Sequence, residues 1–331
     1  MTNGFKYIIY LFLFCLISCQ NNHRQIDFYY WKQQYQIDSL EQETLHLLNT
    51  KTIYLHYFDV VWHNGKAVPK YKVEIKEKVN YAVVPTVYIE NDAIANLSFE
   101  QIESLSKNMV QLIEKINQLN NIKAKTIQID CDWTVSTKAK YFKLLTLLQE
   151  NYKVTATIRL HQIKYKNTTG VPPVKKAVLM LYNMGDVKNI DEYNSILNIN
   201  TTKKYIAYAK KYPIPLDYAF PIFSWTAIFR NNKLMAIKNN LRKSDFKTND
   251  LKALNNTLYQ VQTSQFLAGF YFMKNDIIRF EHINKNDLKD LYLLTKKNCN
   301  YKKFDIVLYH LDSQSLKLLS NETIPTIQQF N

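Results

Sequence analysis

The chain has 331 residues, 47% of them hydrophobic, and a formal net charge of +15 at neutral pH. Nearly all of that charge is lysine; the arginines are Arg24, Arg159, Arg230, Arg242 and Arg279, single and scattered, which argues against the arginine-rich face of a nucleic-acid binder. With only 5 glycines and no glycine-rich turn after the first strand, dinucleotide and nucleoside-triphosphate binding are disfavoured, and no cofactor is expected.

The N-terminus reads as a processing signal. Lys6 is followed by an apolar run from Tyr7 to Ile17, too short to span a bilayer, that ends in Leu16-Ile17-Ser18-Cys19. This resembles a bacterial lipoprotein signal. Residues 1–18 would leave as the signal peptide, and Cys19 would carry acyl chains such as palmitate and anchor the protein to a membrane. Residues 19–26 form a polar tether. Gln20 is not the acidic residue associated with inner-membrane retention, so the outer membrane is the expected destination; whether the protein faces periplasm or exterior stays open. Cys131 and Cys299 remain after processing, and both are expected as free buried thiols. No metal-ligand spacing occurs, so no metal site is expected.

Strands and helices then alternate. Phe28 to Trp31 is a first strand, and Leu40 to Leu48 a helix that Asp38-Ser39 can cap. Thr52 to Val60 is a second strand, with Asn64-Gly65 a turn beyond it. Tyr81 to Ile89 is a third, where Pro85 suits a bulge or a barrel mouth. Phe99 to Leu119 is a long amphipathic helix. Thr126 to Asp132 is the fourth strand: Ile127, Ile129 and Cys131 share one face, and Gln128, Asp130 and Asp132 the other. Thr137 to Glu150 is a helix. Val154 to His161 is the fifth strand, its polar face carrying Thr155, Thr157, Arg159 and His161. Ala177 to Tyr182 is the sixth, ending in Asn183; Thr201 to Lys211 is helical; Leu216 to Phe223 is the seventh, reaching Ser224-Trp225. Residues 226–300 mix helical and extended stretches. Phe304 to Leu311 is the eighth strand, and the polar residues that follow read as a peripheral tail.

Eight such units are the pattern of a (β/α)8 TIM-like barrel, here a single domain over 27–315 with a C-terminal tail at 316–331; a doubly wound open sheet is the alternative. In a barrel the strand C-termini converge on one mouth. That would gather Trp31, Asp59, Glu90, Asp130, Asp132, Arg159, His161, Tyr182, Asn183, Trp225, His310 and Asp312. Carboxylates, aromatic platforms and amide or imidazole donors together suit a glycan site, because ring faces cover sugar rings and polar groups fix hydroxyls. Asp130 and Asp132 are the candidate catalytic pair. Asp130, deeper, is the expected partner of Arg159, and Asp132 the expected ligand contact. Two close carboxylates repel, so the one Arg159 does not hold should have the raised pKa. Each of these residues also has a plainer reading, as cap, core packing or structural ion pair.

Around Asp130-Cys131-Asp132-Trp133-Thr134 the chain resembles the signature strand of chitinase-like glycoside hydrolase barrels, Asp-x-x-Asp-x-Asp-x-Glu. Asp130 and Asp132 match its second and third acidic positions; Ile127 replaces the first Asp and Thr134 the acid Glu. The resemblance implies a glycan substrate, and the loss at Thr134 speaks against that family's mechanism. The lipobox, Gln-Ile-Asp-Cys-Asp-Trp-Thr, Thr-Ile-Arg-Leu-His-Gln and Gly-Val-Pro-Pro before Leu-Tyr-Asn-Met-Gly are together similar to a family of uncharacterised bacterial TIM-barrel lipoproteins. The expectation is a lipid-anchored envelope protein with a glycoside-hydrolase-like barrel that acts on or binds a glycan. A non-catalytic glycan binder, or an envelope-assembly protein using the barrel as a scaffold, is the alternative.

Overall fold

A computed structural model describes residues 24–330 apart from 240, 302 and 320. Cys19 and the signal lie outside the described residues. Eight parallel strands make the barrel: β1 (Ile26–Tyr30), β2 (Thr52–His63), β3 (Ala82–Ile89), β4 (Thr126–Asp130), β5 (Lys153–Arg159), β6 (Ala177–Met180), β7 (Leu216–Pro221) and β8 (Ile306–Tyr309). β8 pairs with both β7 and β1, and β1 pairs with β2, so the sheet closes on itself. Closure leaves no exposed barrel edge and aims alternate side chains inward.

The period-two reading of β4 holds. Ile127 and Ile129 are fully buried, and Tyr141 of the helix Lys138–Leu148 donates to the Ile129 carbonyl at 3.4 Å. Gln128 turns inward, where its Oε1 accepts from Tyr29 of β1 at 2.6 Å. These strands are not neighbours, so the bond crosses the barrel interior. The helix Ser39–Leu47 carries the expected cap, Asp38 closing a reciprocal box with Glu41, and Ser98 closes another with Gln101 at the start of Phe99–Leu119.

The structure departs from expectation at four places. First, β2 runs on to His63 and returns antiparallel through Lys66–Lys70. Asn64 and Gly65 both sit at positive φ, as a two-residue hairpin turn requires. Pro85 of β3 faces Leu55, beside a register shift between His56 and Phe58. Second, β5 stops at Arg159. The Gln162 side chain accepts from the Arg159 backbone N–H at 2.8 Å, and His161 falls in a short helix, Leu160–Lys164, instead of on the strand face.

Third, the stretch between β7 and β8 is mostly β. Trp225–Arg230, Lys233–Asn239, Leu251–Ala253, Leu258–Val261 and Ile277–Glu281 form an antiparallel sheet around their own buried cluster, which includes Ile228, Val261, Phe272 and Ile278. The helix Lys285–Asn298 then leads back to the barrel. Fourth, the polar tail is anchored. Ile327 and Phe330 are buried, and Phe330 stacks on Tyr292 with ring centroids 4.3 Å apart. Cys131 is buried and Cys299 half-buried, both free.

Candidate functional site at the barrel mouth

Asp130 and Asp132 exchange the roles expected of them. Register explains why. Ile129 lies beside Ala156, so Asp130 falls level with Thr157 and Asp132 level with Arg159. Asp130 accepts from Thr157 Oγ1 at 2.6 Å, while Arg159 grips Asp132 with two parallel bonds, Nε to Oδ1 at 2.6 Å and Nη2 to Oδ2 at 2.8 Å. Asp132 lies past the end of β4, with 44% of its side chain exposed at the rim. Burial pushes the Asp130 carboxyl up to about 6; the Arg159 charge and the Thr157 bond oppose that, and Asp132 and Asp59 reinforce it. The carboxyl group best placed to hold a proton is therefore Asp130.

Aromatic rings surround this carboxylate. Tyr182 stacks on Tyr309 at 4.9 Å between centroids, and Tyr29 meets Tyr309 at 5.7 Å. Burial raises the phenols of Tyr29 and Tyr182 well above their ordinary range, so they stay neutral hydrogen-bonding groups. Tyr88, at the end of β3, is pushed up to about 12, by burial first and by Asp132 and Asp130 after it. Trp31 packs over His56 at 4.6 Å, and His56 Nε2 meets Asp59 Oδ1 at 2.6 Å.

Two cavities open at the mouth, and Asp130 and Asp132 line neither. One, about 150 Å³, is lined by Arg159, His161, Tyr182, Asn183, Thr201 and Tyr205 among others. Burial pulls the His161 imidazolium down here. The other, about 260 Å³, is bounded by Phe223, Tyr309, Asn239 and Asp312. Asn183 lines both, at a φ of 54°. Three further lining residues of the larger cavity carry buried polar atoms with no hydrogen-bonding partner among the described residues: Ser224 Oγ, Trp225 Nε1 and His310 Nδ1. Burial also lowers the His310 pKa, which favours the neutral ring.

The structure thus brings together Asp130, Asp132, Arg159, Tyr182 and Asn183, with Trp225, His310 and Asp312 on the β7–β8 side. Asp312 also caps the helix Ser313–Leu316, accepting from the Ser315 N–H at 2.9 Å. Trp31 and Asp59 line neither cavity; they belong to the His56 cluster, from which Trp31 packs on Tyr309 at 5.7 Å and Asp59 acts on the Asp130 carboxyl. Glu90 precedes the helix Asn91–Asn96 without a side-chain cap bond. Thr134, at the signature acid position, is exposed and bonded to Ser136 Oγ at 2.9 Å and Thr137 Oγ1 at 3.2 Å. Tyr29, Tyr309, Thr157 and Ser224 were not singled out from sequence. Thr157 carried a signal as the polar strand residue two before Arg159. Asn239 carried none, because it arrives from the antiparallel excursion.

The loop that carries Asn183 is pinned by that excursion. Glu281 accepts from Ser195 Oγ at 2.7 Å and from the Ile196 N–H at 3.2 Å, and Ser195 in turn accepts from the Met184 N–H at 3.0 Å. Arg279, wholly buried, pairs with Glu281 at 2.7 Å and donates to the Asn189 carbonyl at 2.6 Å.

No protein-family model matches the chain, and no curated protein matches it. Solved structures do. A chitinase from Chromobacterium violaceum superposes with a TM-score of 0.54 at 9% identity, over 93% of this chain and 99% of that one. The spore cortex-lytic enzyme SleL of Bacillus megaterium gives 0.52 at 12% identity, over 93% of this chain and 74% of its own. A chitinase-like agglutinin from Robinia pseudoacacia gives 0.53 at 9% identity, over 92% and 98%. At these identities the likeness is one of fold: the chain is a closed eight-stranded parallel barrel that superposes on these structures.

Proposed function

We propose that this protein is a lipid-anchored protein of the cell envelope, at the outer membrane, whose barrel mouth binds a glycan and does not cleave it by the acid of the chitinase-like signature. One observation carries the binding reading: Ser224 Oγ, Trp225 Nε1 and His310 Nδ1 face a cavity of about 260 Å³ without partners, between the rings of Phe223 and Tyr309. A buried polar group left unpaired costs about 1–3 kcal/mol. A ligand that supplies hydroxyls and carbonyls to these atoms, with a ring face toward the aromatics, removes that penalty, and a sugar does both. Against hydrolysis stand Thr134 at the acid position and the Arg159 clamp on Asp132. The agglutinin among the fold neighbours fits a binding role for such a barrel.

A second reading, hydrolysis, is favoured by Asp130 alone. A carboxyl group raised to about 6 can deliver a proton at neutral pH, provided a second carboxylate stands across the sugar. A glycan array read beside a reducing-end release assay separates the two. Trp225→Ala and His310→Ala are expected to lose array binding at least tenfold with their melting curves intact, while the wild type releases no reducing ends. Release that Asp130→Asn abolishes would establish hydrolysis. Binding unchanged in both cavity variants would end the glycan reading of this cavity. Acyl mass on Cys19, and its loss from membranes in Cys19→Ala, tests the anchor.

A further inference from the structure

Because all eight strands run the same way, their N-terminal ends share one face, the floor, opposite the mouth. Lysines crowd this face. Lys51 stands directly before β2 and Lys125 directly before β4, Lys153 opens β5, and Lys175 directly precedes Lys176 and β6. Lys210 and Lys211 lead toward β7, and Lys303 toward β8. All of these except Lys176 are exposed.

The acidic groups of the floor are occupied inward. Asp27 accepts from the backbone N–H of Thr52 at 2.9 Å and of Lys51 at 3.3 Å, and Asp217 and Asp305 share Lys176 at 2.6 and 3.3 Å. The helices Ser39–Leu47, Phe99–Leu119, Lys138–Leu148, Ile199–Ile206 and Lys285–Asn298 also end at the floor, each bringing roughly half a negative charge, and Glu150 adds one more. Those charges offset roughly half of the lysines and leave the face basic. Some exposed lysines elsewhere have acidic partners, as Lys143 has Glu103 at 2.6 Å.

We propose that the floor is a membrane-facing surface that binds the anionic headgroups of a lipid bilayer. The lysines spread across the end of a closed barrel, a shape that meets a plane; a linear polyanion would be better served by a groove. The chain also enters here. Arg24 donates to Tyr292 Oη at 2.8 Å, lies over the Phe304 ring at 4.5 Å, and leads into β1. Cys19 is only a few residues upstream, within about 18 Å of Arg24 even on fully extended backbone. Near an anionic surface each lysine adds to the attraction. Acyl chains and lysines together would hold the floor on the bilayer and turn the mouth away from it. That orientation rests on the anchor proposed above; the basic floor does not.

The test uses the full chain in vesicles of phosphatidylcholine, alone or with one third phosphatidylglycerol, under limited amine acetylation read by mass spectrometry. Lys125, Lys153 and Lys175 are expected to react several-fold more slowly on the anionic vesicles, with Lys233 and Lys252 of the antiparallel excursion unchanged. The triple variant K125Q/K153Q/K175Q should associate less with anionic vesicles and lose the salt dependence of that association. Equal floor reactivity on both vesicles would overturn the proposal. So would protection of the same lysines by soluble polygalacturonate but not by vesicles, which would assign the face to an acidic polysaccharide. Acyl mass on Cys19 is read in the same spectra and tests the anchor separately, and glycan binding enters neither measurement.

Discussion

The two ends of this barrel each bury carboxylates beside a single interior cation, and they finish the arrangement differently. At the floor the three inward carboxylates have donors: backbone N–H groups for Asp27, Lys176 and the Asp305 N–H for Asp217, and the Gln25 N–H and Lys176 for Asp305. At the mouth Asp132 and Arg159 are matched, yet Ser224 Oγ, Trp225 Nε1 and His310 Nδ1 have no partner among the described residues. A satisfied buried network stabilises and specifies a fold, whereas an unsatisfied one is held at a cost that a ligand can offset. Unpaired buried atoms occur on the floor side too, at Arg24 Nε, Tyr212 Oη and Asn300 Oδ1, but Ser224, Trp225 and His310 at the mouth line a cavity of about 260 Å³ that a ligand can enter.

The largest effect should come from breaking the floor. Asp217→Ala strips Lys176 of its closest partner and leaves the Asp305 N–H unpaired. Lys176 is partly exposed and can turn to Asp305, so the loss should fall just below the range of about 3–5 kcal/mol for broken buried pairs, at about 2–3 kcal/mol in a urea melt at pH 7.5. Glycan binding by the remaining folded protein should be unchanged. The next effect is the pH dependence of stability. Burial pushes Asp27 up to about 7 and Asp217 to about 6, with Asp130 at about 6 adding the same sign from the mouth. All three stand above the ordinary carboxylate value near 3.9, so the folded state holds their protons more tightly than the unfolded chain. Their contribution is complete below about pH 4 and is lost as the pH rises through 6 and 7. Thermal melts should give a higher Tm at pH 5 than at pH 8, and Asp27→Asn should remove the largest share of that difference. A smaller shift is expected at the mouth. Arg159→Met removes the charge that lowers Asp130, so the Asp130 titration followed by carboxyl NMR should move above about 6. A titration that stays in place would mean that Arg159 acts on Asp132 alone.

The barrel was legible in the sequence because its signals are local. Period-two alternation in Thr126 to Asp130 and capping boxes at Asp38 and Ser98 need only a few residues to be read. Pairing across strands is not local. Asp130 was expected to meet Arg159 because both are polar ends of adjacent strands; a register that puts Ile129 beside Ala156 gives Arg159 to Asp132 instead. The placing of His161 on the polar face of the fifth strand failed for a related reason: Gln162 folds back on Arg159 and ends the strand, a bond invisible in any propensity. The excursion between β7 and β8 was the hardest stretch. Its short strands pair antiparallel around a small core of their own, and its polar inward groups, such as Arg279 and Glu281, read as surface residues until the loop carrying Ser195 closes over them.

Ser224 sharpens the comparison at the lowest expected energy. Its hydroxyl is buried, lines the larger cavity and bonds to none of the described residues. Ser224→Ala deletes one oxygen and creates almost no cavity, so the protein loses no hydrogen bond and sheds a desolvated group. Stability should be unchanged or higher by up to about 1 kcal/mol. A glycan that bonds to this hydroxyl would lose one neutral hydrogen bond, about 1 kcal/mol, or roughly fivefold in affinity. Stability and affinity should therefore move in opposite directions here, while Asp217→Ala moves stability alone. Urea melts and titration of the best array ligand on the same samples provide both readings. A Ser224→Ala protein that melts more than 1 kcal/mol early and binds as the wild type does would make Ser224 a structural residue, and the mouth would then be built on the same terms as the floor.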